Sequence, residues 1–140
     1  MAALTITAAN VAWVSGPEKG DQVAGEAFTA GSQVYFNVPD GKWYKAKCNG
    51  TVNQAGQDGL GMALGSADAA GARVSIAQPG AIVAIGTGTA GHTYYPGATA
   101  GQLVEWSDLV ATNKAVPAAV GVGSNQVLLL GGSYNAGSVL

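Results

Sequence analysis

Apolar and polar positions along this chain alternate in short runs that stop at Gly, Pro, Asn or Asp. Leu4, Ile6 and Ala8 alternate with Thr5 and Thr7, and the run continues through Val11, Trp13 and Val14 until Ser15-Gly16-Pro17 ends it. A period of two marks a strand with one face buried. Residues 33–38 form a second β-rich run, closed by Pro39-Asp40-Gly41, a turn in which Pro presets φ and Gly accepts a positive φ. Residues 42–48 then return antiparallel to complete a hairpin. Shorter runs at 60–65, 73–77, 81–85, 102–106, 116–122 and 126–130 read the same way, parted by turns such as Asp68-Ala69-Ala70-Gly71 and Gln78-Pro79-Gly80. Residues 18–21 read as a charged, exposed loop. Helix signals are sparse. Ser107-Asp108 can cap one helical turn through Val110, and the alanine-rich 67–72 stretch is short and Gly-bounded, hence loop. The prediction is an all-β fold, a sandwich or barrel of short antiparallel strands with little helix.

The pattern also repeats. Thr29-Ala30-Gly31, Tyr35 and Gly41 recur sixty residues on as Thr89-Ala90-Gly91, Tyr95 and Gly101. Leu64-Gly65-Ser66 and Val74-Ser75-Ile76 follow the first copy, and Val122-Gly123-Ser124 and Val127-Leu128-Leu129 follow the second. This is the mark of a duplicated β unit, with the second copy about five residues shorter in its last turn. The chain divides into residues 1–24, an N-terminal arm and first strand; 25–130, a β domain of two related units; and 131–140, a C-terminal tail.

Composition adds one constraint. Only 10% of residues are charged and 22 are Gly, too little charge to cover a free monomer and keep it from its neighbours. Part of the surface is therefore expected to lie against other protein chains. The net charge of −2 brings no basic cluster beyond Lys42, Lys45 and Lys47, interleaved with Trp43 and Tyr44. Lysines on one face of an edge strand explain that cluster better than base stacking does, so no nucleic-acid partner is expected. The lone Cys48 sits on the apolar face of its strand and reads as a small buried hydrophobe. Asn49-Gly50 reads as a hairpin turn. The first Lys is Lys19, so no secretory signal is expected, and no apolar run approaches membrane-spanning length.

Candidate chemistry is thin. Gly86-x-Gly88-x-x-Gly91 matches a dinucleotide fingerprint, yet that motif requires a following helix, and His92-Thr93-Tyr94-Tyr95-Pro96 is β-prone. No cofactor is expected. His92 is the only histidine; Ser32, Ser66 and Ser124 lie in no nucleophile elbow, and Asp58 and Asp68 stand singly in Gly-rich turns. Glu105 and Asp108, three apart near a helix start, fit capping better than catalysis. The chain therefore reads as a non-enzyme with no metal site. The aromatic residues hold more interest. Trp13, Tyr35, Trp43, Tyr94 and Tyr95 are candidate interface anchors, since aromatics are enriched at subunit contacts. Tyr94 and Tyr95 are adjacent on one strand and must point to opposite faces, so at least one leaves its sheet's core face.

The run Ala27-Phe28-Thr29-Ala30-Gly31, Val34-Tyr35 and Gly41-Lys42-Trp43-Tyr44-Lys45-Ala46 resembles the pattern of capsid cement, or head decoration, proteins of tailed bacteriophages. Gly59-Leu60-Gly61-Met62-Ala63-Leu64, Gly71 and Val74-Ser75-Ile76 extend it. Thr99-Ala100-Gly101, Trp106-Ser107-Asp108-Leu109 and Val120-Gly121-Val122-Gly123, leading to Leu128-Leu129-Leu130, look like the family's closing section. The resemblance spans residues 25–130. It implies a non-enzymatic virion protein, made in the host cytoplasm, that sits on the outer surface of the head. It further implies a homotrimer that bridges neighbouring major capsid subunits. Residues 1–10 are the candidate shell-contacting arm. Two competing readings are a receptor- or carbohydrate-binding module of a phage tail or fibre, stacking sugars on Trp43, Tyr44 or Tyr94, and a small hydrolase built around His92.

Overall fold

A computed structural model of the chain describes residues 3–51, 53–123 and 125–130. Among these residues the alternating runs form eleven strands: β1 (Ala12–Ser15), β2 (Glu18–Val23), β3 (Gln33–Asn37), β4 (Lys42–Lys45), β5 (Leu60–Ala63), β6 (Arg73–Ala77), β7 (Ile82–Ala84), β8 (Thr93–Pro96), β9 (Leu103–Val104), β10 (Ala119–Val122) and β11 (Gln126–Leu129). They assemble into a five-stranded sheet ordered β2-β6-β5-β3-β4 and a six-stranded sheet ordered β1-β7-β11-β10-β8-β9. Every strand pairing is antiparallel. The sheets pack face to face as a sandwich rather than closing into a barrel. Their shared core joins Tyr35, Leu60 and Met62 of the first sheet to Val83, Tyr94, Leu103, Val127 and Leu129 of the second.

The structure corrects several local readings. Residues 18–21 are not a loop but the first part of β2, paired with β6 on one side only. Their charges suit an exposed sheet edge, where they resist pairing with another chain. The long run from Leu4 to Val14 is strand only at β1. Before it lies a 3-10 turn at Ala8–Asn10, and ahead of that the chain packs Leu4 and Ile6 against the core without a strand partner. Asn49-Gly50 makes no hairpin, because the chain runs on irregularly after β4. There the Gln54 side chain accepts the Thr51 N–H at 2.9 Å and closes the connection locally. The helical turn lies at Trp106–Asp108, and its N-cap, Glu105, makes no side-chain capping bond. Residues 131–140, read as a tail, lie outside the described residues.

The duplication is visible in the topology. Taken in chain order, and leaving out the edge strand β1, β2 to β6 and β7 to β11 occupy the same positions in their two sheets: first, fourth, fifth, third, second. The same turn opens each β3-like strand. Ser32 N–H donates to Thr29 O at 3.1 Å, and His92 N–H donates to Thr89 O at 3.2 Å. Gly31 and Gly91, at φ 91° and 84°, hold the third position of what is a type II turn, which demands positive φ there. Both glycines then donate 2.8 Å bonds across the sheet, to Ala63 O and Gly121 O respectively. The hairpin registers agree as well: Tyr35 pairs with Tyr44 and Phe36 with Trp43, just as Tyr95 pairs with Val104 and Pro96 with Leu103. The second copy is shorter where β10 and β11 meet. Three residues join Val122 to Gln126, against nine between Ala63 and Arg73.

The two units stack as successive layers, not as mirror partners. Val34, Trp43, Val74 and Ile76 lie on the outer face of the five-stranded sheet, in a second core with Ala24, Phe28 and Ala67. The counterparts of Val34, Trp43 and Ile76 in the second unit, Tyr94, Leu103 and Val127, face inward into the shared core, and Leu129 lies there with them. One face of each unit is therefore roofed, in the first copy by the chain's own 24–30 segment and the long β5–β6 turn. In the second copy the five-stranded sheet itself is the roof.

Candidate interaction surface

Three of the five predicted anchors lie inside the protein. Tyr35 is 8% exposed and stacks on Tyr44 with ring centroids 5.8 Å apart; burial raises its phenol above the usual range. Trp43 is 2% exposed, packs against Phe36 and donates its indole N–H to Gln22 Oε1 at 3.0 Å. Tyr94 is 1% exposed, and its hydroxyl accepts the Thr89 N–H at 2.9 Å. These rings hold the two cores and present nothing to another subunit. Nor can Trp43 stack a base or a sugar.

The other two reach the surface. Trp13 sits on the edge strand β1, 48% exposed, and its indole N–H caps its own turn at Gly16 O, 3.1 Å away. Tyr95 turns to the outer face of the six-stranded sheet, opposite to Tyr94, as two adjacent strand residues must. On it rests Trp106, 55% exposed, edge-on at 5.7 Å. The residue-level reading passed over Trp106 as an anchor, because the strand that ends before it and the 3-10 turn that lifts it onto Tyr95 are not separable in sequence. His92 Nδ1 meets the Glu105 carboxylate beside these rings. With Thr93 and Ser107 they line a shallow hollow of about 400 Å³.

The rest of that outer face is aliphatic. Ile82, Val120, Val122 and Leu128 alternate with the inward Val83, Ala119 and Val127; they are half-buried and belong to neither core. The sequence carried a signal for them. Val120 and Val122 in β10, and Leu128 in β11, make strands apolar on both faces, which is how a sheet covered on both sides reads.

Elsewhere a groove of about 600 Å³ runs between the N-terminal segment and the 27–32 and 66–68 loops, with Lys45 and Asp68 at its walls. The candidate arm itself lies against the domain. Leu4 N–H donates to Leu103 O at 2.9 Å, and Leu4 and Ile6 pack on the main core. From residue 3 onward, then, this segment is part of the core's cover.

The remaining sequence candidates stay apart. Gly86, Gly88 and Gly91 all have positive φ, and the strand β8 follows them where a dinucleotide site needs a helix. Cys48 is buried, and that burial raises its thiol above the usual range. Among the described residues no three His, Cys, Asp or Glu side chains gather in one place, and no helix is long and apolar enough to cross a membrane. Lys45 serves its own fold, its backbone N–H donating to the Glu26 carboxylate at 2.9 Å along the β4 edge. No protein-family model, curated protein or solved structure matches this chain.

Proposed function

We propose that this chain is a structural virion protein of a tailed phage, a cement protein that binds the outer surface of the assembled head and bridges neighbouring major capsid subunits. The observation that carries the reading is the largely aliphatic and aromatic outer face of the six-stranded sheet, with His92 and Glu105 at its rim, on a chain only 10% charged. Such a surface suits a protein whose working state is an assembly. The residue patterns that resemble head decoration proteins over 25–130 supply the class of assembly, and the duplicated, stacked β layers make a rigid spacer.

A protein that binds only the complete shell stabilises it by mass action, because dissociated subunits present no complete site. Several modest contacts per oligomer add through linkage. With so few charges the contacts are mainly apolar and backbone in kind, and depend weakly on salt. The test heats particles with and without the protein and follows release of the packaged genome. A higher release temperature with the protein bound is expected; equal temperatures, or stripping by moderate salt alone, contradict the reading.

One observation favours the second reading, a carbohydrate- or receptor-binding module. Trp106 on Tyr95, beside the His92–Glu105 pair, is an exposed aromatic platform with polar groups at its rim. Retention of the chain on a glycan matrix, abolished by Trp106→Ala, would favour that reading over the first.

A further inference from the structure

We infer that the groove beside residues 27–29 takes up an extended segment of a partner chain, which adds to that stretch as a strand. The inference rests on the proposed function for the partner, a shell subunit, and deepens it by naming where that subunit is held.

Residues 24–29 form an edge that bonds to alternate sides. Ala24 and Phe28 direct their backbone groups at the β5–β6 turn. Ala24 N–H donates to Ala72 O at 2.9 Å, Ala24 O accepts the Gly71 N–H at 2.8 Å, and Phe28 and Ala67 exchange bonds of 3.0 and 2.8 Å. The residues between them therefore turn their N–H and C=O groups the other way, towards β4. Gly25 finds a partner there, its N–H donating to Trp43 O at 2.8 Å. The segment then parts from β4 at Glu26, whose carboxylate takes the Lys45 N–H at 2.9 Å. Past that point the Ala27 N–H, the Ala27 C=O and the Thr29 N–H have no partner among the described residues, and Thr29 O is taken by Ser32 within the turn. Ala27 and Thr29 are exposed and line the groove of about 600 Å³. The duplicate turn differs at this point. The Thr89 N–H, counterpart of Thr29 N–H, donates to the Tyr94 hydroxyl at 2.9 Å. In the first unit Val34 stands where Tyr94 does, and it has no acceptor to offer.

A row of free backbone donors and acceptors along one wall is matched by another backbone, so the occupant is an extended peptide. Three residues at about 3.4 Å each reach from Ala27 to Thr29. The chain's own 3–6 segment lies on the groove as well, but it is held elsewhere by the Leu4 N–H bond to Leu103 O at 2.9 Å. Leu4, Ile6 and Phe28 give one side of the incoming strand an apolar lining. The half-buried Lys45 side chain reaches the same groove without an acidic partner among the described residues, and so selects a segment that carries an acidic side chain. Asp68, also in the wall, is exposed, and water screens its charge.

The test labels Thr29→Cys with a maleimide, in free protein and in protein bound to phage heads that lack it. Thr89→Cys, at the same place in the duplicate turn, reports general shielding, and the buried Cys48 stays silent. On heads the Thr29→Cys thiol is expected to label at least tenfold more slowly than in free protein, and the Thr89→Cys thiol to slow much less. Ala27→Pro removes a donor that the isolated fold does not use. It should keep the parent's circular dichroism and bind heads at least tenfold more weakly, as should Lys45→Glu. If Ala27→Pro fails to fold, the labelling decides. Protection of Thr29→Cys no greater than that of Thr89→Cys, or full head binding by folded Ala27→Pro or by Lys45→Glu, overturns the inference. So does protection that rises with protein concentration in the absence of heads, which would give the groove to a second copy. Head binding with the Thr29→Cys thiol open leaves the proposed function standing and removes this inference alone, whereas heads that bind no protein refute both.

Discussion

Gly121 lies where the second copy's turn meets its sheet, and a Cβ there would sit 2.0 Å from the Thr89 carbonyl oxygen. The neighbour is backbone, held by the Gly91 N–H to Gly121 O bond, so it cannot swing aside. Gly121→Ala is expected to cost about 1–3 kcal/mol, the usual range for overpacking a closed site, read as a lower denaturation midpoint. A stability within error of the parent would show that the close approach is absent. In the first copy the same place is held by Ala63, so glycine here belongs to the second layer alone. At this scale sequence was informative about direction and poor about depth. The opposite facing of Tyr94 and Tyr95 follows from adjacency on a strand. The burial of Trp43 does not, because the roof above it comes from residues distant in sequence.

Among the elements, the β3–β4 hairpin shows how a turn is fastened. Asp40 accepts bonds from the Tyr44 hydroxyl, from Lys42 N–H at 3.1 Å and from Asn37 Nδ2 at 3.0 Å. The Tyr44 bond is the chief cause that holds the Asp40 carboxyl below its ordinary range, and it pushes the Tyr44 phenol up to about 12. A depressed carboxyl contributes stability above its unfolded value near 3.8 and loses it as pH falls through the lower folded value. The raised phenol contributes below its unfolded value of 10.0 and loses that contribution as pH rises through about 12. Asp40→Asn should lower the thermal midpoint at neutral pH and flatten both limbs of the midpoint-against-pH curve. Limbs that superimpose on those of the parent would contradict this account. The hairpin was legible from Pro39-Asp40-Gly41 and the alternation on either side. The strand β2 was not, because Glu18, Lys19 and Asp21 resemble a loop until an edge is there to receive them.

For the whole molecule, the repeat of Thr-Ala-Gly, Tyr and Gly pointed to two copies of one unit, and β2–β6 and β7–β11 share one strand order, with β1 added at the edge of the second sheet. Their stacking in layers was not readable, since side-chain periodicity says which residues share a face and not which face meets which. The apolar surface left at the end of the stack is a product of that layering, and so was visible only as an excess of two-sided apolar strands. On this surface and the residue-level resemblance rests the central claim, that the chain works by binding an assembled shell. The most direct measurement mixes purified protein with phage heads that lack it, in parallel with dissociated capsid subunits and with isolated tails, and sediments each through a density gradient. The account predicts saturable co-migration with heads alone, little changed at about 0.5 M salt, where exposed charges are screened within a few ångströms. Protein that remains at the top of the head gradient at saturating concentration, travels with tails, or binds dissociated subunits as well as heads would contradict it.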